Sequence, residues 1–337
     1  MDWPVKAGKL SPQKLRSLVF DRLHQRRRDI LLRPGLGEDS AIIDFGEEVC
    51  VISTDPITGA AHRLGWLAVH VSCNDVAANG AEPVGIQVAL LLPEGTTDKF
   101  ISELMADMDA ACAELGIEIL GGHTEMTSQV KGPLVVTTAL GRAPRNGYVT
   151  SSGSGVGDTI YVTKGAGFEG TGVLASDHWH ALTGKVEPSV LERARLFLDQ
   201  ISVVPEALAA AKAGASAMHD ITEGGFYGAL WEVLAASSRG CEIRIADVPV
   251  LPETRAICDA LKLDPLGLIS SGSLLITAPP NAPIVEAVAE VGVKAYPVGQ
   301  VTAKTRELLF PEGNRCQLTE PVEDELWRFL AKQYGQS

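Results

Sequence analysis

Residues Gly35–Ala60 read GLGEDSAIIDFGEEVCVISTDPITGA, and the pairing of this stretch decides the fold. Two apolar runs, Ala41–Phe45 and Val49–Ser53, are separated by the polar turn Gly46-Glu47-Glu48, which predicts a β-hairpin with a carboxylate just outside each strand. Those carboxylates are Asp39 and Asp55. In an antiparallel pair the start of one strand lies beside the end of the other, so the hairpin brings the two together at one edge. Adjacent carboxylates repel, and a shared hard cation relieves them; Mg²⁺ carrying a polyphosphate does so with oxygen ligands alone. Taken singly, Gly-Glu-Asp-Ser also reads as an ordinary turn and Thr-Asp-Pro as an ordinary strand terminator.

The composition narrows the setting. A chain of 337 residues exceeds the usual single-domain size, so two domains sharing one site are expected. Apolar residues make up 45% and aromatics only 5%, the profile of a small-residue α/β protein. The net charge of −13 argues against a nucleic-acid partner, because Arg26-Arg27-Arg28 is the one basic cluster and phosphate neutralisation needs a basic face. An acidic protein that binds an anionic nucleotide must cancel charge locally, and a divalent cation is the usual means. The six cysteines form no C-x-x-C pair and no zinc-finger spacing, as expected of reduced thiols in a cytoplasmic protein. The N-terminus lacks a signal pattern and no apolar run approaches a membrane span.

Taken in order, Ser11-Pro12 opens a first helix whose apolar stripe is Leu15, Leu18, Val19 and Leu23. Ahead of it Val5–Lys9 reads as a frayed terminus, with closure of Lys9 over a phosphate as the alternative. Leu64–Asn79 is a small-residue helix stopped at Gly80, and within it Asn74 and Asp75 are polar in an apolar surround. A buried Asp75 needs a partner; a solvent-facing turn is the bland alternative. Val84–Leu92 suits a doubly covered strand, Thr97–Leu115 an amphipathic helix, and Leu134–Leu140 a further strand. Strand Ile117–Leu120 runs into Gly121-Gly122-His123-Thr124-Glu125, where paired glycines admit a ligand to the backbone and His123 and Glu125 offer a base or a metal ligand. Pro144–Gly157, rich in Gly and Ser, divides residues 1–150 from 151–337. In the second half, strand Thr159–Val162 precedes Lys164-Gly165-Ala166-Gly167-Phe168-Glu169-Gly170-Thr171-Gly172, a possible phosphate nest with neither P-loop nor dinucleotide spacing. His219-Asp220-Ile221-Thr222-Glu223-Gly224-Gly225 repeats the theme of carboxylate and glycine pair and opens the helix Phe226–Ala236. Helix and strand then alternate to Phe310, completing a two-domain α/β chain.

The strings GEDSA, STDPITG, SCNDVAANGA, GGHTE, KGAGFEGT, HDITEGG and DPLGLISSG resemble, in this order and across nearly the whole chain, the aminoimidazole ribonucleotide (AIR) synthase, or PurM-like, superfamily. The nearest branch is that of the HypE hydrogenase maturation factors. The resemblance implies an N-terminal domain that pairs with a second copy into a dimer β-barrel, a C-terminal α/β domain, and ATP with Mg²⁺ in a cleft near the dimer interface.

Carried over by position, the resemblance makes Asp39, Asp55 and Asp75 the residues holding Mg²⁺ and phosphates, with Asn74 beside them. Asp220 matches the acidic residue of the C-terminal motif, and Gly121, Gly122, Lys164, Gly165, Gly224 and Gly225 match glycine-rich loops that meet the nucleotide. Where many relatives carry Asp or Glu after the second glycine this chain has His123, so Glu125 is expected to take over as ligand and His123 to move a proton. HypE proteins end in a Pro-Arg-aliphatic-Cys tail; this sequence closes on Gln333-Tyr334-Gly335-Gln336-Ser337, and its last cysteine, Cys316, is expected to be structural. Three functions follow from the resemblance. The first is an ATP-dependent HypE-like enzyme that activates an oxygen of a small or peptide-borne acceptor through a phosphorylated intermediate. The second is a small-molecule kinase resembling thiamine-monophosphate kinase. The third is a non-catalytic ATP-binding maturation partner.

Overall fold

The computed structural model describes residues 8–57, 62–320 and 323–334. Val5–Ala7, the Thr58-Gly59-Ala60 end of the opening stretch and the last three residues lie outside them.

The first helix is short, α1 (Pro12–Lys14), and opens into a wide turn at Leu15–Val19 before a tight one at Phe20–Arg22. Its apolar stripe does not enter the core, and Leu18 is 59% exposed. The element lies at the rim of a cavity to which Leu15 and Phe20 contribute.

A short strand, β1 (Ile30–Leu32), then joins the expected hairpin, β2 (Ser40–Asp44) and β3 (Glu48–Ile57). Ser40 stands opposite Ser53 and Asp44 opposite Val49, so Asp39 and Asp55 flank the same end. The turn holds because Gly46 takes φ +99° and donates its N–H to Asp44 Oδ1 at 2.9 Å. Thr-Asp-Pro does not terminate the strand; β3 runs on through Asp55 to Ile57, paired with the sixth strand.

Helix α2 (Leu64–Ala78) follows, and all of its residues are buried. Apolar residues occupy every side of it because it has no solvent face. It packs on β3 and on the strand β6 described below, and its other side meets elements of the second half. Small residues permit this; a Cβ on Gly65 would stand 2.5 Å from the Leu104 carbonyl oxygen. Strand β4 (Glu82–Leu92), helix α3 (Asp98–Leu115), β5 (Glu118–Met126) and β6 (Leu134–Pro144) complete a six-stranded sheet in the order β1-β2-β3-β6-β4-β5. Thr97 caps α3 by accepting from the Phe100 N–H.

The strand expected at Ile117–Leu120 extends through the Gly-Gly-His-Thr-Glu segment as far as Met126. Gly121 and Gly122 stay inside β5 at φ +145° and +149°, and a Cβ on Gly122 would collide with the Val88 carbonyl. Glycine is needed there for an extended strand with a bulge beside Leu120.

The second half runs β7 (Thr159–Thr163), α4 (Phe168–Asp177), α5 (Trp179–Leu182), α6 (Pro188–Arg195), α7 (Val204–Lys212), β8 (Ala217–Asp220), α8 (Gly225–Ala236), β9 (Gly240–Arg244), α9 (Pro252–Leu261), β10 (Leu274–Ala278), α10 (Ile284–Glu290), β11 (Ala295–Thr302), β12 (Arg306–Leu309), β13 (Arg315–Gln317) and α11 (Glu325–Tyr334). Its seven strands are ordered β13-β12-β9-β11-β7-β10-β8. This sheet is covered on both faces. Leu274 and Ile276 of β10 enter the core that continues into the first half, while Leu275 joins the separate core around Phe226 of α8. The six-stranded sheet differs: Val49, Val51 and Ile57 face α2, whereas Cys50, Ile52, Val136, Leu140 and Leu91 lie half-buried on a face that no helix among the described residues covers.

His70 of α2 is fully buried between the halves, its ring 4.4 Å from that of Trp66, and neither nitrogen finds a hydrogen-bond partner among the described residues. Burial, with Arg63 and Lys164 adding to it, pulls its pKa from 6.5 to about 3. Glu114 Oε1 at 3.8 Å therefore faces a neutral ring, and the two form no ion pair. A depressed folded-state pKa gives stability that is present above 6.5 and lost as the pH falls toward 3. His70→Phe is expected to remove this loss, so that its stability relative to the parent rises by about 1.4 kcal/mol per pH unit below 6.5. Urea unfolding of both proteins at neutral and acid pH checks it; parallel pH curves would exclude it.

Candidate active site

The hairpin delivers Asp39 and Asp55 to the junction of the halves, where α2 supplies Asp75 and the end of β8 supplies Asp220. The hydroxyl of Ser53 ties them together. It donates to Asp75 Oδ2 at 2.6 Å and lies 3.0 Å from the Asp39 carbonyl and 3.5 Å from Asp55 Oδ2. Asp75 is 4% exposed and Asp220 1%. Burial and then the Asp55 and Asp220 charges hold the Asp75 carboxyl well above the usual range. Burial likewise lifts Asp220 to about 6, with His219 pulling back and Asp39 and Asp55 pushing further. Four carboxylates from four elements thus share a low-dielectric corner, and Asp220 Oδ2 has no partner among the described residues. Hard oxygen donors with an unsatisfied buried oxygen suit Mg²⁺. A void of about 10 Å³ between Asp39, Asp75 and Asp220 has room for one water or ion.

Cationic side chains back this cluster. His219, 3% exposed, sets Nδ1 3.3 Å from Asp39 Oδ2 and Nε2 2.9 Å from Glu232 Oε2 of α8. Burial alone would lower its pKa, but Asp39 and Glu232 outweigh burial and raise it to about 9. Without a metal the imidazole is a positive charge beside Asp39, and its nitrogen stands with Asp39 and Asp220 in a group whose ligand atoms lie within 4.8 Å of one another. Lys9 is seated on the same wall, its Nζ 3.2 Å from Glu232 Oε1 and 3.6 Å from Asp39 Oδ1. Its backbone N–H donates to Glu223 Oε1 at 2.9 Å. Burial raises Glu232, yet Lys9 and His219 together hold it down at about 2. Glu38 accepts from the N–H groups of Ser151 and Ser152 at 3.3 and 3.2 Å, pinning the hairpin to the second half.

Other residues singled out in the sequence have different surroundings. Asn74 donates to the Ile201 carbonyl and accepts from the Val203 N–H, so its amide is spent on joining the halves. Lys164 is buried against Glu206 at 2.8 Å and donates to the carbonyls of Ser202 and Gly272. That bonding corrects its reading as a phosphate contact, since the ammonium has three donors and all are used. The glycines after it serve packing: a Cβ on Gly170 would meet Leu268 at 2.5 Å and one on Gly172 would meet Leu198 at 2.7 Å, while Gly165 abuts Pro249 and Leu251. The Gly224 N–H donates to Asp324 Oδ2 at 2.6 Å and that of Gly225 to the Thr222 carbonyl at 3.0 Å, leaving neither amide for a ligand.

His123 and Glu125 pair with each other at 3.3 Å on the exposed edge strand. Cross-strand register runs Asp55, Thr137, Val88, Gly122, which sets Gly121 and Gly122 three strands, about 14 Å, from Asp55. His123 also points to the opposite face of the sheet, in the row of Pro56, Val136 and Ala89. Within one chain His123 and Glu125 do not reach the carboxylates. Cys316, expected to be structural, is exposed on β13.

Sequence reasoning missed His219, Glu232 and Glu38. A histidine directly before Asp220 at the end of an apolar strand was the available signal for His219; the other two are single acidic residues whose partners lie more than 100 positions away or across a helix.

Two cavities open on this wall. One, about 540 Å³, has apolar sides that include Phe20, Leu36 and Trp231; the other, about 660 Å³, is lined by Val71, Ile269 and Trp327 among others. Lys9, Asp39, Asp55 and Glu223 line both.

Two α/β halves docked through a buried helix, with carboxylates of both gathered between two cavities, define a two-domain protein of PurM-like fold. The chain belongs to the AIR synthase-related proteins: the family's N-terminal domain profile matches residues 37–143 and its C-terminal domain profile residues 155–310. The carbamoyl dehydratase HypE of Rhodobacter capsulatus is 28% identical over 251 residues, covering 74% of this chain and 71% of that protein. Among solved structures, AaThiL complexed with AMPPCP and TMP superposes with a TM-score of 0.75 at 20% identity, over 96% of this chain and 99% of that one. The hydrogenase maturation protein HypE in complex with ATP gives 0.68 at 21%, over 95% and 97%. At these identities the two structures share the fold. Among the described residues no helix is long and apolar enough to cross a membrane.

Proposed function

We propose that the protein is an ATP- and Mg²⁺-dependent enzyme of the HypE-like kind, which activates an oxygen of a small or peptide-borne acceptor through a phosphorylated intermediate. The observation that carries this reading is the four-carboxylate corner with its unpartnered Asp220 oxygen, set on the wall common to two cavities. A nucleotide in one cavity and an acceptor in the other would meet at that wall. Relatives named as carbamoyl dehydratases and a neighbour determined with ATP support the nucleotide, and the same names support metallocentre maturation as its setting.

Asp39, Asp55, Asp75 and Asp220 would hold the metal, which when bound offsets charge on the transferring phosphoryl group. Lys9 would exchange its carboxylate partners for phosphate oxygens. His219 holds Asp39 in place from behind. The acceptor oxygen attacks the γ-phosphorus, forming one P–O bond while the bond to ADP breaks.

We further propose a homodimer built on the uncovered face of the six-stranded sheet, through which His123 and Glu125 would be offered to a partner's site. A charge at the middle of that face should prevent it, so Val136→Arg is expected to run as a monomer where the parent has a light-scattering mass near twice 35.7 kDa. A monomeric parent at micromolar concentration contradicts the assembly.

Calorimetry with ATP, with and without Mg²⁺, tests the core of the proposal, and saturable binding that needs the metal is expected. Products then separate the chemistry: ADP and phosphate released with a dehydrated acceptor fit the reading. A stable phosphorylated product would mark a kinase. Binding without turnover in the presence of acceptor would mark a nucleotide-controlled partner.

A further inference from the structure

The segment from Lys14 to Arg33 sets seven basic residues against two aspartates, in a chain whose net charge is −13. Acidic side chains number 42 in the whole chain, yet among the described residues no carboxylate from outside the segment pairs with it. Arg27 meets Asp29 at 2.6 Å, and Arg26 and Arg33 donate to the carbonyls of Leu23 and Arg27. Lys14, Arg16, Arg22 and Arg28 stand exposed with no carboxylate partner among the described residues. Like charges gathered this way repel one another, and an opposite charge brought from outside relieves them.

The backbone explains why apolar side chains accompany these cations. At an α-helical period Leu15, Leu18 and Val19 form one stripe. The wide turn at Leu15–Val19, in which the Phe20 N–H donates to the Leu15 and Arg16 carbonyls, instead brings residues five apart onto one side. Leu15 and Phe20 accordingly line the smaller cavity, while Leu18, Val19 and Leu23 are left 59%, 39% and 43% exposed. The inner side of the segment is cavity wall, and the outer side is aliphatic and cationic.

That combination selects the kind of partner. A nucleic-acid duplex or an anionic bilayer extends well past so small a patch, and its charge would also lie against a chain that is acidic elsewhere. The outer side carries no exposed Trp, Tyr or Phe to stack on a base or anchor at a bilayer interface, because Phe20 is spent on the cavity. A protein surface of limited extent, with carboxylates flanking aliphatic side chains, meets both the charge and the apolar contact.

We propose that the outward face of Lys14 to Arg28 is a docking surface for a partner protein that presents an acidic helix with an aliphatic stripe, and that docking holds this partner at the mouth of the smaller cavity. Arg16, Arg22 and Arg28 pair with its carboxylates, and the planar guanidinium groups favour two-pronged contacts. Leu18, Val19 and Leu23 receive its aliphatic side chains. The surface lies outside the carboxylate corner, so it stands whether or not the nucleotide reading does.

Fluorescence anisotropy of the full chain with labelled peptides tests it. A helical peptide of Glu, Leu and Ala with its leucines on one face is expected to bind saturably, to weaken as salt rises, and to bind at least tenfold more tightly than the same peptide with Lys for Glu or with Ala for Leu. Arg16→Glu combined with Arg22→Glu, and separately Leu18→Ser combined with Leu23→Ser, should each weaken it at least tenfold. All four side chains are exposed, so both variants are expected to keep the parental melting temperature. The proposal is overturned if the leucine-bearing acidic peptide does not saturate, if the leucine-free peptide binds as well, or if either folded variant binds like the parent. It is equally overturned by tighter binding of duplex DNA or phosphatidylserine vesicles, which would mark a phosphate surface. A lower light-scattering mass of the arginine variant than of the parent would overturn it too, since the occupant would then be a second copy of this chain.

Discussion

Asp75→Asn is expected to raise the melting temperature of the metal-free protein and, in the same molecule, to weaken Mg·ATP binding tenfold or more. Both effects come from one cause. Asp75 is 4% exposed, and burial together with Asp55 and Asp220 disfavours its charge. Because its folded-state pKa lies above 3.8, the carboxylate favours folding only at low pH, and that contribution is lost as the pH climbs through 3.8 and beyond. Asparagine keeps the shape and an oxygen for the Ser53 hydroxyl but has no charge to bury. On the proposed reading it also removes one hard ligand, and tenfold corresponds to about 1.4 kcal/mol. Mg·ATP should therefore raise the melting temperature of the parent more than that of the variant. Thermal melts with and without Mg·ATP, beside calorimetry, read both halves. A folded variant with parental affinity would remove Asp75 from the metal site.

His219→Leu should have the opposite sign and the larger effect on stability. The imidazolium is wedged between Asp39 at 3.3 Å and Glu232 at 2.9 Å, and its loss leaves Asp39 and Glu232 sharing only Lys9. Removing one member of a buried charge pair typically costs about 3–5 kcal/mol, because the other charge stays behind. Urea unfolding at neutral pH without metal measures it, and a loss below about 1 kcal/mol would mean that these groups are not charged as described. The contrast between the variants separates a charge that opposes the fold from one that supports it.

The hairpin, the apolar helix after it and the alternation of helix and strand in the second half were legible because each is a local pattern. Period-two alternation and a glycine turn suffice to place Asp39 beside Asp55. Asp75 was legible, with Asn74, as a polar residue in an apolar, small-residue surround. The glycine pair at Gly121 and Gly122 was read as an opening of the backbone to a ligand after the strand, whereas it permits φ near +145° inside an edge strand pressed on the Val88 carbonyl. The stripe of Leu15, Leu18 and Val19 has helical spacing, but among the described residues it finds no surface to bury against, and Leu18 and Val19 are exposed. Lys164 looked available to phosphate because Glu206, its buried partner, is 42 positions away and nothing local announces it.

Residue order alone determined which carboxylates exist, that two of them must share a hairpin edge, and that the chain divides into two α/β halves. Only the folded chain decided what surrounds those carboxylates, because desolvation and Coulomb energy depend on distance in space and not along the backbone. Lys9 meets Glu232 across 223 positions, and His219 meets Asp39 across the seam between the two sheets. Asp39 from the first half and Glu232 from the second together raise the His219 pKa, and burial with the charges of Asp39 and Asp55 raises that of Asp220.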